Sequence, residues 1–261
     1  MKTCKIKFLS LFIAMLLIIE VNAQNIVVSE NLNVNSGPLK VKMGAQGFGK
    51  IGKWKFGEYS VVSSKAGWTK TTSKSNLFNT KTESKTTQKF SFIICNKESD
   101  SAFVNAAKNV EIEEVQGFEL FPNFYLGENE VKLSANNFTA SIIINGDTTD
   151  TWILLMNSEW GSESENTGEA ILTNGITKYL IFSASSNSNG TDKRNIPAKG
   201  YEFREKEYAV LALQYYGGGA LGYNKNLVWI DNNQNQKAKL ILAAAATAIL
   251  QLKTDEVDVF E

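Results

Sequence analysis

Along most of the chain, apolar positions recur at every second residue. Leu39-Lys-Val-Lys-Met43 alternates apolar with charged, as a strand with one wet face does. Lys53 to Val62 repeats the habit, with Trp54, Phe56, Tyr59 and Val61 set among Lys, Gly, Glu and Ser. Phe138 to Ile144 and Trp152 to Met156 are compact apolar runs joined by a loop that opens on Asn145-Gly146. Asn-Gly favours the positive φ angles of tight hairpin turns, so the pair predicts a β-hairpin. Ile171-Leu172, then Asn174-Gly175, then Tyr179 to Phe182 predict a second one. Tyr208 to Tyr216 predicts a long strand running into Gly217-Gly218-Gly219, and Leu227 to Ile230 a short last strand. No alternation of strand and helix occurs, which argues against a parallel α/β sheet.

The pattern changes once. Lys237 to Leu252 contains neither Gly nor Pro and includes Ala243 to Ala246, a run that favours helix and disfavours strand. From Leu240 to Leu250 it is apolar on nearly every side, and a helix of that kind is buried on most faces. These eleven residues rise only about 16 Å, half a bilayer, so they predict a plug or lid on the β structure rather than a membrane anchor. Asp231 to Asn233 offer capping oxygens upstream, and Lys253 suits the negative end of the helix. The fold class expected is mainly β, an antiparallel β-sandwich or barrel-like domain with a C-terminal buried α-helix.

Two stretches stand outside this pattern. Residues 1–23 have the layout of a secretory signal peptide: Lys2, Lys5 and Lys7, an apolar run from Phe8 to Ile19, and Val21-Asn22-Ala23 before Gln24. The run is shorter than the roughly 20 residues of a membrane span. Removing it leaves residues 24–261, read as one large mainly-β domain that does not span a membrane. Ser63 to Lys89 is the second stretch, with 18 of its 27 residues Ser, Thr or Lys. Threonine suits strands, and Trp68, Leu77 and Phe78 are out of place in a tether, so the expectation is exposed edge strands or a long mobile hairpin.

Export with a single remaining cysteine, Cys95, points to a bacterial periplasm, cell surface or secreted location. Cys95 is expected to be a buried small hydrophobe, and the chain must be stable through its core. Overall charge is balanced, with 27 basic and 27 acidic residues, but it is segregated along the chain. Pro38 to Lys89 carries 11 lysines against Glu58 and Glu83, whereas Lys97 to Glu169 carries 3 lysines against 14 acids. Such segregation places basic strands beside acidic ones or creates an acidic face. A chain that is not basic as a whole disfavours nucleic acid as a partner.

The chemistry is narrowed by what is missing. With no histidine, the Ser-His-Asp and Cys-His devices and the His-rich zinc sites are excluded. Gly47-Phe-Gly-Lys-Ile-Gly52 fits a dinucleotide fingerprint by letters only, since no βαβ unit surrounds it. Asn145, Asp147 and Asp150 crowd oxygens into one loop without EF-hand spacing. Carboxylate pairs drawn from Glu111, Glu113 and Glu114, or from Glu159, Glu163 and Glu165, are the candidates for glycosidase chemistry. Neither a cofactor nor a metal is expected. Aromatics supply the candidate binding residues: Trp68 and Trp160 in polar surroundings, and Tyr215, Tyr216 and Tyr223 flanking the triple glycine.

Gly52-Lys53-Trp54 opening a strand, together with a helix after the last strands, resembles the lipocalin pattern of a Gly-x-Trp strand and a C-terminal helix. The resemblance covers three residues and an outline, and what it implies is a barrel shape. The function expected is a non-catalytic binding module for a small apolar molecule, a glycan or a protein partner. The alternatives are a carbohydrate-active hydrolase using paired Glu residues and an envelope structural or assembly protein.

Overall fold

The computed structural model describes residues 25–75, 81–115, 118–121, 124–126, 130–157, 170–187, 197–217 and 226–257; side chains are not described at 81, 114–135, 157 and 257. Residues 1–23 lie outside these. A short helix α1 (Glu30–Asn35) precedes β1 (Leu39–Lys40), β2 (Lys42–Met43), β3 (Trp54–Phe56) and β4 (Tyr59–Ala66). There follow β5 (Lys70–Ser75), β6 (Lys81–Cys95), β7 (Ser101–Val115), β8 (Phe118–Phe121), β9 (Phe124–Leu126) and β10 (Glu130–Ile144). The second half contains β11 (Trp152–Asn157), β12 (Ala170–Thr173), β13 (Lys178–Ser185), β14 (Lys199–Glu205), β15 (Tyr208–Tyr216), β16 (Leu227–Ile230) and α2 (Gln236–Val257).

All of these strands except β8 and β9, which pair with each other, join one 14-stranded antiparallel sheet in the order β1-β16-β15-β14-β13-β12-β11-β10-β7-β6-β4-β3-β2, with β5 paired to β6. The two ends of that path are consecutive in the chain. Leu39 pairs with Val228 and Lys40 with Leu227 on one side, while Lys42 pairs with Lys55 and Met43 with Trp54 on the other. The strand expected at Leu39–Met43 is therefore the short stave that nearly closes a barrel. Both hairpins expected from Asn-Gly form, and their turns have positive φ at Asn145 (49°), Gly146 (75°) and Gly175 (88°). Gly200 is required where β14 shifts register against β15, because a Cβ there would lie 2.1 Å from the Leu213 carbonyl oxygen.

Counting β1 and β2 as one, twelve staves surround the interior. Eight strands leave a lumen that side chains alone can fill, and sixteen leave a channel. Twelve would leave a void, and α2 occupies it. The helix packs on β7 and β10 and also on β15 and β16, which lie on opposite walls of the circuit. From Leu240 to Leu252 every residue is buried. Ala243 to Ala246 and Ala248 let the walls approach the helix backbone, while Leu240, Leu242, Ile249 and Leu250 meet inward residues such as Phe92, Leu154, Ile181 and Phe203 in one cluster. Two polar side chains of the interior find partners on or through the helix. Thr247 donates to the Ala243 carbonyl at 2.8 Å, and Trp54 Nε1 donates to Gln251 Oε1 at 2.9 Å. The cap at the helix start is Asn235, whose side-chain oxygen accepts from the Ala238 amide at 2.8 Å; Asp231 instead closes a local turn onto Asn233.

The outer faces of β15 and β16 are buried too, under residues 25–35. Ile26 donates its amide to Gln214 Oε1 at 2.9 Å, and Ser29 donates through backbone and side chain to Glu202, which also accepts from Arg204. Cys95 differs from expectation: Phe90, Phe92 and Ile94 point inward, so Cys95 falls on the outer face and is half-buried. Among the described residues no helix is long and apolar enough to cross a membrane. The resemblance to a lipocalin stops at the barrel outline. Trp54 points inward onto Gln251 of the helix, and the barrel has more than the eight staves of that family.

One further departure positions the site. β6, β7 and β10 run 15 residues each, well past the neighbouring staves. The outer half of β6 pairs with β5 on one side and β7 on the other, and β7 pairs with β10, forming an arm that leaves the barrel where α2 finishes. The Ser/Thr/Lys-rich stretch is thus strand β5 and the outer half of β6, with residues 76–80 between them outside the described set.

Candidate functional site

The barrel mouth beside the arm is closed by side chains that satisfy one another. Glu256 on the last turn of α2 accepts from Lys108 of β7 and from Lys253, both at 2.9 Å. Burial alone would raise its carboxyl, but the two lysines prevail and hold it below the usual carboxylate range. Asp255 accepts from Gln88 of β6 at 3.0 Å and from Gln251 at 2.7 Å. The Lys253 amino group lies 5.4 Å from the Tyr215 ring centre and 5.9 Å from that of Tyr201, and these two rings are 5.5 Å apart. Tyr215 is a half-buried rim residue leaning on the core, and Tyr216 beside it is half-buried and paired in register with Lys199. Trp160 and Tyr223 lie outside the described residues.

Trp68 occupies a different place. β4 and β5 follow one line along β6, with Ala66 opposite Phe90 and Lys70 opposite Thr87. Four steps on one side match three on the other, so one extra residue bulges out between them, and bulges re-aim side chains. Gly67 secures the approach by donating its amide to the Lys89 carbonyl at 2.7 Å. Trp68 follows it, 82% exposed, and stands edge-to-face against Phe48, 89% exposed, with ring centres 5.4 Å apart. Phe48 comes from the loop holding Gly47–Gly52, which enters β3 and no helix, so the dinucleotide reading of that loop has no support.

Beside Gly67 the outer face of β4, β6, β7 and β10 forms a groove of about 400 Å³. Its polar lining is Lys65, Lys89, Ser91, Asn105, Thr139 and Ser141. Farther along the same face of the arm lies a second groove of about 520 Å³ containing Glu83, Glu111 and Glu113. Glu111 and Glu113 share a face as expected, and the register sets Glu83 directly opposite Glu113. Lys85 lies opposite Glu111 and forms an ion pair with it. Here the basic stretch and the acidic stretch of the sequence are adjacent strands. The side chain of Glu114, and residues 158–169 with Glu159, Glu163 and Glu165, are outside the described set.

The oxygen-rich loop at the other end of the barrel holds a lysine. Asp150 accepts from Lys237 and from Asn174, both at 2.7 Å, and those bonds keep its carboxyl below the ordinary range. Asp147 accepts from Thr149, which lowers it likewise. Among the described residues no group of three His, Cys, Asp or Glu is placed to hold a metal ion.

The candidate site is therefore Trp68, Phe48 and the first groove. Only Trp68 is legible as a candidate in the sequence. Phe48 lacks any local mark, and Lys65 and Lys89 join it only through the β4–β6 register. The comparisons with known proteins leave the site to be judged on its geometry alone: no family model, no curated protein and no solved structure matches this chain.

Proposed function

We propose that the protein is an exported, non-catalytic carbohydrate-binding module that stacks a sugar ring on Trp68 beside the groove. The observation carrying this reading is the exposed Phe48–Trp68 pair, held out by a bulge at the lip of a polar groove. A large apolar ring left in water gains when a sugar face covers it, and the hydroxyl and amide groups alongside suit the sugar's own hydroxyls. An apolar ligand is less well served, because α2 fills the barrel interior. Export, to the periplasm or beyond, rests on the secretory layout of residues 1–23.

Titration calorimetry of the exported chain against oligosaccharides tests the reading. Trp68→Ala should weaken binding about tenfold or more, as loss of a central aromatic contact does, and Trp68→Phe should retain most of it. Undiminished binding by Trp68→Ala, or no glycan binding at all, would refute it.

A hydrolase is favoured by one observation, the Glu83–Glu113 opposition in the second groove. Directly opposed residues have Cβ atoms about 4.5–5.5 Å apart, from which two Glu side chains can bring their carboxyls to the roughly 5–5.5 Å separation of retaining glycosidases. New reducing ends on incubation with a bound glycan, abolished by Glu113→Gln, would establish it.

A further inference from the structure

Residues 83, 85, 87, 89 and 91 of β6 alternate onto one face of the sheet, the outer face that carries both grooves. Each of these five successive cross-strand rows contributes one described lysine. Lys65 lies opposite Ser91, Lys89 is itself in the next row, Lys70 lies opposite Thr87, Lys85 is in the fourth row, and Lys74 lies opposite Glu83. Rows two residues apart are separated by roughly 7 Å, so the lysine ladder covers roughly 27 Å.

The ladder has two unlike halves. In the two outer rows Glu111, Glu83 and Glu113 offset Lys85 and Lys74. In the three rows nearest the barrel, Lys65, Lys89 and Lys70 have no carboxylate in their rows on β6 or β7 and form no ion pair among the described residues. The same stretch holds Ser91, Asn105, Thr139 and Ser141, whose side chains have no hydrogen-bond partner among the described residues, and it ends at Trp68. Regular cations, unengaged hydroxyl and amide groups and one stacking ring describe a surface for a linear chain of sugars carrying negative charge.

We propose that the glycan this face binds is an acidic polysaccharide, carboxylated or sulfated, with Lys65, Lys89 and Lys70 meeting its anions while Trp68 stacks on a ring. The proposal rests on the carbohydrate-binding reading above and adds the charge of the ligand to it. Single-stranded nucleic acid is the competing polyanion. It is disfavoured because the paired positions of the ladder rows hold no aromatic ring, leaving stacking to the Trp68–Phe48 pair at one end, whereas single-strand binders stack successive bases along their groove.

The test titrates the exported chain with polygalacturonate, its fully methyl-esterified neutral form, dextran sulfate and poly(dT), at low and high salt. Polygalacturonate or dextran sulfate should bind, bind less at high salt, and exceed the neutral ester by about tenfold or more. The triple variant Lys65→Ala, Lys70→Ala, Lys89→Ala should erase that preference, so that acidic and neutral forms bind the variant alike, while leaving Tm unchanged. Equal binding of acidic and neutral forms would overturn the charge inference and leave the carbohydrate reading standing. Binding of no glycan would overturn both, and tighter binding of poly(dT) than of either acidic glycan would assign the ladder to nucleic acid instead.

Discussion

Strands β6, β7 and β10 each pass through two environments, and the contrast between their halves explains the molecule. Within the barrel, β6 reads Phe90-Ser-Phe-Ile-Ile-Cys95, with Phe90, Phe92 and Ile94 buried in the core cluster that also holds the residues of α2. In the arm the same strand reads Lys81-Thr-Glu-Ser-Lys-Thr-Thr-Gln-Lys89, polar on both faces. Its pairing continues there without an apolar core. Thr71 and Thr86 share a hydrogen bond at 3.0 Å, Ser75 and Thr82 share one at 3.1 Å, and Thr87 donates to Asn109 at 2.9 Å. The barrel sets the register, and the arm inherits it. A strand already aligned by a core can extend outward on hydrogen bonds and display polar groups at fixed spacing.

The most damaging way to break the contrast is to strike the core that defines one side of it. Ala245 is fully buried in α2, and Ala245→Asp would place an unpaired charge inside the barrel, a cost of several kcal/mol. The expected outcome is insoluble or unfolded protein, read by yield and circular dichroism. Gln251→Leu is milder: it leaves Trp54 Nε1 buried without an acceptor, at a cost of about 1–3 kcal/mol. Urea denaturation should show that loss for the whole barrel in a single transition.

The mouth network joins the two regions, and pH probes it. The Glu256 carboxyl titrates lower in the folded protein than its ordinary value of 4.5, so between the two values the unfolded chain binds more protons. Its stabilising effect is complete above that ordinary value and is lost as pH falls through the folded value. Acid should therefore loosen the root of the arm near Lys108 before it unfolds the barrel, and Glu256→Gln should flatten that part of the profile. The smallest effect belongs to the arm. Thr86→Ala should change Tm little, because an exposed hydroxyl pair contributes at most about 0.5–1.5 kcal/mol, and its effect should be confined to amides of β5 and the outer half of β6.

The two regions also differ in how far the sequence reveals them. Tyr208–Tyr216 and Leu227–Ile230 are strands with the bounds that their apolar runs mark, and Asn145-Gly146 turns where its chemistry demands. Those are local properties. The all-round apolar surface of α2 announces burial, but not that strands would enclose it, since that depends on Leu39–Met43 joining β3 on one side to β16, from far along the chain, on the other. The helix also extends past Leu252 to Val257, because Asp255 and Glu256 find Gln88 and Lys108 outside the barrel. In the arm, β5 and the outer half of β6 carry no apolar alternation by which to be recognised. Trp68 stands out in its polar stretch, whereas the bulge that exposes it and the lysine ladder beside it exist only in the register with β6.

Native-state hydrogen exchange along β6 tests the contrast most directly, since one strand samples both environments. The amides of Phe92 and Ile94 should exchange only through global unfolding, at the free energy measured by urea, whereas those of Ser84 and Thr86 should exchange through a smaller opening that leaves the barrel intact. Equal exchange free energies in both halves would contradict the account, because the arm would then be part of the same cooperative core.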